Sequence, residues 1–239
     1  MKQAVRWMPM QKWDACRKPF TEEMLIGRPC YGGLDLSSTT DITAFVLVFP
    51  PDDPDEGVYY ILPYFWIPEE SMGERSRRDK VPYEVWNRQG KIMATEGNAV
   101  HYKFIEHYIE ELGRKFNIRE IAFDRWEAVG ITQNLEDEGF TVVDFGQGYK
   151  SMSAPTKELM RLVLTGRIAH DGHPVLRWMM DNVVVKQDPA GNVKIDKSKA
   201  EEKVDGAVAA VMALDRAVRC GAGMGGSVYD DPDHDLVVI

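Results

Sequence analysis

The sequence predicts an α/β fold: a mixed sheet, made of an antiparallel three-strand meander followed by parallel strands, flanked by helices. Three observations predict it. Residues 31–36 and 42–49 are strand-like runs separated by a short turn; residues 58–67 form a third run after a proline-rich turn; and from residue 102 onward helical periodicity alternates with short apolar runs. With 239 residues the chain can bury a sizeable core, so one domain is expected at 31–219, with an N-terminal arm at 1–30 and a flexible acidic tail at 220–239.

The first hairpin, YGGLDLSSTTDITAFVLVFP, organises the rest. Side chains alternate across a strand, so Leu34 and Leu36 share one face while Asp35 points to the other, beside the low bulk of Gly33 and Ser37. A carboxylate over an inner strand is costly unless its charge is compensated, and a divalent ion is one compensation. Bonding to the amides of turn 37–41 is the other, and this stretch alone leaves both open.

Composition narrows the function classes. A formal charge of -9 argues against a surface that attracts nucleic acid everywhere, although Arg75, Arg77, Arg78 and Lys80 concentrate positive charge in one segment, while Asp230, Asp231, Asp233 and Asp235 load the tail. No apolar run is long enough to span a bilayer and no signal peptide opens the chain, so a cytoplasmic protein without a membrane partner is expected. Cys16, Cys30 and Cys220 are odd in number and lack a CxxC pair, which indicates neither a disulfide framework nor a zinc knuckle.

Taken in order, the arm carries Trp7, Met8, Met10 and Trp13, a pattern for packing on something rather than for a free linker. Residues 68–82 read as an exposed loop holding the basic cluster. Apolar residues at 105, 109, 112 and 116 mark an amphipathic helix over 102–116. Residues 118–124, IREIAFD, form a strand ending in Asp124, where ligands of α/β sheets gather, although Asp124 and Glu127 also make a capping box for a helix running to Glu138. A strand at 141–145 follows, then a helix capped by Ser153 running through Thr165, a short helix at 174–182, and a hairpin over 183–195 turning at 188–192. The last helix is expected over 198–219, opened by Ser198 and Glu201, with small residues for close packing on a sheet; Asp205 borders its apolar stripe and Glu202 lies almost one turn earlier.

The run GGLDLSSTTDITA, the strand IAFDRW, the segment HDGHPVLRWMMDNVVVKQDPAGNVKIDK and the helix EKVDGAVAAVMALDRA, in that order, resemble the nuclease domain of a tailed-phage terminase large subunit of the HK97-like branch. The resemblance covers roughly residues 4–219, including QAVRWMPMQKWDAC, which is similar to the segment entering that domain. It implies a ribonuclease H-like fold and an endonuclease that cuts concatemeric double-stranded DNA in the host cytoplasm during genome packaging. Two divalent metal ions, Mg²⁺ or Mn²⁺, would be held by Asp35, Asp124 and Asp205, with Glu202 as a further candidate. The partners it implies are duplex DNA, a terminase ATPase domain, the small terminase subunit and the portal or procapsid, with the C-terminal region involved in docking. Arg75, Arg77, Arg78 and Lys80 are the candidate contacts to DNA.

Two-metal phosphodiester hydrolysis suits carboxylates, because Mg²⁺ and Mn²⁺ prefer oxygen ligands and keep several waters. His170 and His173 are read as loop or packing residues. No GxxxxGK[ST] loop is present and no ATPase domain fits before residue 30, so the chain is expected to be an excised domain or a separately encoded or truncated nuclease. Two rival readings stand beside this one. GLDLSSTTD resembles the phosphate hairpin of actin-like and sugar-kinase-like phosphotransferases, although no second such hairpin follows. A non-catalytic interaction domain would use the same carboxylates as caps and surface groups.

Overall fold

The computed structural model describes residues 7–36, 42–53, 55–124, 129–198, 200 and 202–221. Helix α1 (Met10–Ala15) and a 3-10 turn at Glu22–Leu25 lead into strands β1 (Pro29–Asp35), β2 (Thr43–Phe49) and β3 (Tyr59–Pro68). Helices α2 (Glu69–Asp79) and α3 (Tyr83–Arg88) precede the short strand β4 (Met93–Thr95), and α4 (Tyr102–Lys115) then precedes β5 (Asn117–Asp124). After α5 (Val129–Asp137), β6 (Val142–Phe145) and α6 (Tyr149–Leu164) come β7 (Ile168–His170) and α7 (Pro174–Asp181). The hairpin β8 (Val185–Gln187) and β9 (Val193–Ile195) and the helix α8 (Asp205–Gly221) complete the described elements.

Among the described residues the main sheet has seven strands in the order β4-β3-β2-β1-β5-β6, with β7 also on β3. β1, β2 and β3 pair antiparallel, whereas β5 and β6 continue in parallel from β1, so the sheet is mixed as the sequence predicts. β4 and β7, each of three residues, add in parallel to the outer edge of β3. They lie outside the predicted meander because three residues carry too little alternation to be read. β4 covers Trp66–Pro68 and β7 covers Tyr59–Ile61, which leaves Pro63 on the stretch between them, where a residue without an N–H is tolerated.

Alternation along the strands builds a core on each face of the sheet. Tyr31, Val46, Val48 and Phe65 pack with α6, α7 and α8 on one side. Leu34, Phe45, Leu47 and Trp66 pack with Ile105, Ile109 and Leu112 of α4 and with α5 on the other. Ala207, Ala209, Ala210 and Ala213 let α8 settle against β1, and the fit leaves no slack: a Cβ on Gly33 would run into the Ala209 carbonyl oxygen and stand 2.9 Å from the Ala213 nitrogen. The partner of the N-terminal segment is also explicit. Trp13 stacks on His170 with ring centroids 4.4 Å apart, the Trp7 N–H donates to the Val183 carbonyl at 3.2 Å, and Trp13 and Cys16 are buried.

Three local expectations are corrected. Residues 69–79 form α2 rather than an exposed loop; Glu69 and Glu70 in the first turn and Arg77 and Arg78 in the last complement the helix dipole, and Met72 and Arg75 face inward. The next helix opens at Tyr149, so Pro155 sits in its interior and Ser153 is no cap; its buried hydroxyl accepts the Val193 N–H at 3.1 Å. The apolar face of Met152, Leu159, Leu162 and Val163 offsets the missing donor, which costs about 3 kcal/mol in an isolated helix. The last helix starts at Asp205 rather than near residue 198, because Ser198 is engaged elsewhere: its N–H and hydroxyl both donate to Asp196 Oδ1, at 3.2 and 2.6 Å. Turn 37–41, Glu127, Glu201 and residues 222–239 lie outside the described residues, and with them the readings placed there.

Candidate active site

Two neighbouring strand ends and one helix start meet on the α8 face of the sheet. Asp35 closes β1 and Asp124 closes β5; these strands run in parallel, with Leu34 opposite Phe123, so the next residue on each is an aspartate. Phe123 packs on the α4 side and Ala122 on the α8 side, and by alternation Asp124 shares the side of Ala122 with Asp35. Asp205 is the first residue of α8, which Gly33 lets lie directly on β1.

A lysine joins two of these carboxylates. Lys197 Nζ donates to Asp35 Oδ1 and Oδ2 at 2.9 and 2.8 Å and stands 3.7 Å from Asp205 Oδ1. Gln147 Nε2 donates to Asp35 Oδ1 at 3.1 Å. Asp35 is 0% exposed, and burial pushes its carboxyl above the usual carboxylate range; Lys197 and Gln147 pull against that rise, and the charge of Asp124 adds to it. Asp35, Asp124 and Asp205 thus influence one electrostatic centre. Among the described residues, however, no three His, Cys, Asp or Glu side chains stand together as a ready metal cage. Three bare carboxylates would repel, and the Lys197 ammonium supplies the charge balance between Asp35 and Asp205 instead.

Glu202 precedes α8 instead of lying one turn before Asp205 on it, and its charge acts on the Tyr83 hydroxyl. Arg75 is buried beside Tyr83, so it is withdrawn from the surface set expected to contact DNA. Arg77, Arg78 and Lys80 are exposed, Arg78 with its guanidinium on Asp79 at 2.6 and 3.2 Å. His170 donates from Nε2 to the Trp13 carbonyl at 2.8 Å and accepts the Gly172 N–H on Nδ1 at 3.1 Å, so packing and turn bonds use both ring nitrogens. Sequence reasoning missed Lys197 and Gln147. Lys197 ends the HDGHP…KIDK segment, but nothing local to a lysine after a hairpin states what it will face.

The fold belongs to the ribonuclease H-like class, with its carboxylates at strand ends and a helix start. The terminase large subunit, endonuclease domain family matches residues 1–220. The chain is 39% identical over 209 residues to the terminase large subunit of Enterobacteria phage HK97, covering 86% of this chain and 40% of that protein. It is 32% identical over 214 residues to protein YmfN of Escherichia coli strain K12, covering 86% of this chain and 47% of that protein. The chain therefore spans under half the length of these curated relatives. The crystal structure of the HK97 bacteriophage large terminase superposes with a TM-score of 0.79 at 38% identity, over 88% of this chain and 43% of that one. The large terminase nuclease of thermophilic phage G20c shares the fold, with a TM-score of 0.52 at 12% identity over 82% of this chain and 95% of that one. The chain belongs to the terminase large subunit family and is its endonuclease domain. That membership displaces the phosphotransferase reading.

Proposed function

We propose that this domain hydrolyses phosphodiester bonds of double-stranded DNA with two divalent ions, Mg²⁺ or Mn²⁺, held by Asp35, Asp124 and Asp205. The observation that carries the reading is the meeting of Asp35 and Asp205 on one cation, Lys197, with the charge of Asp124 acting on the same buried carboxylate. This donor set fits the ions by its chemistry: it is all oxygen, it is anionic, and its charge demands a cation. Bound ions would lower the pKa of a nucleophilic water and stabilise the leaving oxygen. The protein's own residues hold the carboxylates in place: rigid strand ends orient Asp35 and Asp124, Gly33 fixes the distance of α8 and so of Asp205, and Gln147 steers one Asp35 oxygen. Glu202, whose charge acts on Tyr83, is not needed to complete the set. The G20c nuclease, similar in fold alone, has been solved with bound magnesium.

In the wider reading the domain cuts concatemeric DNA during packaging in the host cytoplasm, working with an ATPase domain, a small subunit and a portal or procapsid. Arg77, Arg78 and Lys80 contact backbone phosphates. Incubation with supercoiled plasmid tests the core of this: nicking and linearisation in Mg²⁺ or Mn²⁺ are expected, and Asp35→Asn should lose both. Cleavage that persists in excess chelator, or in that variant, would overturn the two-metal assignment.

A further inference from the structure

We propose that Lys197 is an internal counter-cation which a divalent ion must displace in order to bind; the inference rests on the metal-centre reading above. Its ammonium engages both oxygens of Asp35, at 2.9 and 2.8 Å, and lies 3.7 Å from Asp205. An ion ligated by Asp35 at about 2.1 Å needs the same lone pairs and would stand a few ångströms from that ammonium. Like charges so close, beside a fully buried carboxylate, repel strongly, so lysine and ion exclude one another.

The lysine is built into this position by its backbone. Asp196 donates its N–H to the Val184 carbonyl at 2.8 Å, and its Oδ1 accepts from the Ser198 N–H and hydroxyl, which fixes the turn carrying Lys197 after β9. The Val193 N–H donates to Ser153 Oγ at 3.1 Å and ties that hairpin to α6. The exposures are unequal: the Lys197 side chain is 38% exposed and that of Asp35 0%. The ammonium has a route to water that the carboxylate lacks, so the lysine is the partner that leaves. Ion affinity is then lowered by the fraction of time that the lysine holds the pair, and each cation weakens the other equally.

Calorimetric titration of the full chain with Mn²⁺ tests this, comparing wild type with Lys197→Met, Lys197→Arg and Asp35→Asn. If the lysine holds the pair nine-tenths of the time, Lys197→Met should bind Mn²⁺ about ten-fold more tightly. Lys197→Arg, which keeps the charge, should stay near wild type. Unchanged or weaker binding by Lys197→Met would overturn the competition. If wild type and Asp35→Asn bind Mn²⁺ alike, the metal-centre reading itself fails; if Asp35→Asn alone loses binding while Lys197→Met gains nothing, only the competition fails. Should Lys197→Met not fold, the side-chain ammonium signal of Lys197 in wild type gives the answer by nitrogen NMR. Mg²⁺ should abolish its protection from exchange with water, and protection that survives saturating Mg²⁺ would overturn the inference.

Discussion

Asp35 and Lys197 form an asymmetric pair, and the two ways of breaking it should differ in sign. Losing the lysine takes the cation from a fully buried carboxylate and leaves it the Gln147 bond; breaking a buried pair costs about 3–5 kcal/mol. Losing the carboxylate leaves the ammonium beside Asp205 at 3.7 Å and partly open to water, where such a partner is worth at most about 1 kcal/mol. In chelator, Asp35→Asn should therefore unfold at the same or slightly higher urea concentration than wild type, and Lys197→Met at a lower one. Another buried group sets an acid limit. Burial pushes His173 down to about 4, against partial opposition from Asp171. A base depressed in the folded state takes up its proton first in the unfolded chain, so stability is lost as pH falls from about 6.5 to about 4 and is unaffected above that window. The shift corresponds to about 3 kcal/mol, and His173→Phe should flatten the urea midpoint across that window relative to wild type. At this scale the sequence is readable where strand alternation decides, as at Asp35. It is silent where tertiary placement decides, as at Lys197 and Gln147, which reach Asp35 from 162 and 112 residues away.

Elements are legible in proportion to their periodicity. The helix expected over 102–116 is α4, which runs Tyr102–Lys115, because its apolar spacing is regular and long. α2 has the mean polarity of a loop, and its helical signal lies instead in dipole-matched ends and the inward pair Met72 and Arg75. α8 opens seven residues later than its capping box implies, since Asp196 holds the Ser198 N–H and hydroxyl. Two substitutions probe these elements. Lys80 closes α2 in the left-handed region at φ 55, a conformation that glycine adopts without penalty. Lys80→Gly should raise stability by about 1 kcal/mol, seen as a higher urea midpoint at unchanged slope. Gly33→Ala should do the reverse and cost about 3 kcal/mol or more, because its methyl meets α8 backbone rather than a yielding side chain. Cleavage should fall with it, as Asp205 rides on the helix that must move.

At the scale of the whole molecule, a net charge of -9 opposes the polyanionic substrate proposed above, so any attraction to it must come from local patches against an unfavourable mean field. No described helix is long and apolar enough to cross a membrane, and the mixed sheet is legible in its strand runs, whereas the edge strands β4 and β7 are too short to be read. The patch itself is where sequence and structure part, since four basic residues close in sequence divide once α2 forms. Arg75 turns inward and is buried, so Arg75→Ala should lower stability by about 1–3 kcal/mol through loss of that burial. Arg77, Arg78 and Lys80 remain at the surface. Replacing those three together with Ala should lower stability by about 1–2 kcal/mol, through loss of the two charges that complement the helix dipole and of the Arg78–Asp79 pair, since Ala at position 80 bears the same left-handed penalty as Lys. Duplex binding should weaken equally across sequences, and the slope of log affinity against log salt should shrink by about 2–3, at roughly 0.9 for each phosphate no longer neutralised. Fluorescence anisotropy with a labelled duplex, repeated across salt concentrations in Ca²⁺ to limit cleavage, measures both. An unchanged slope would remove α2 from the DNA path and leave the carboxylate centre without this patch as its guide.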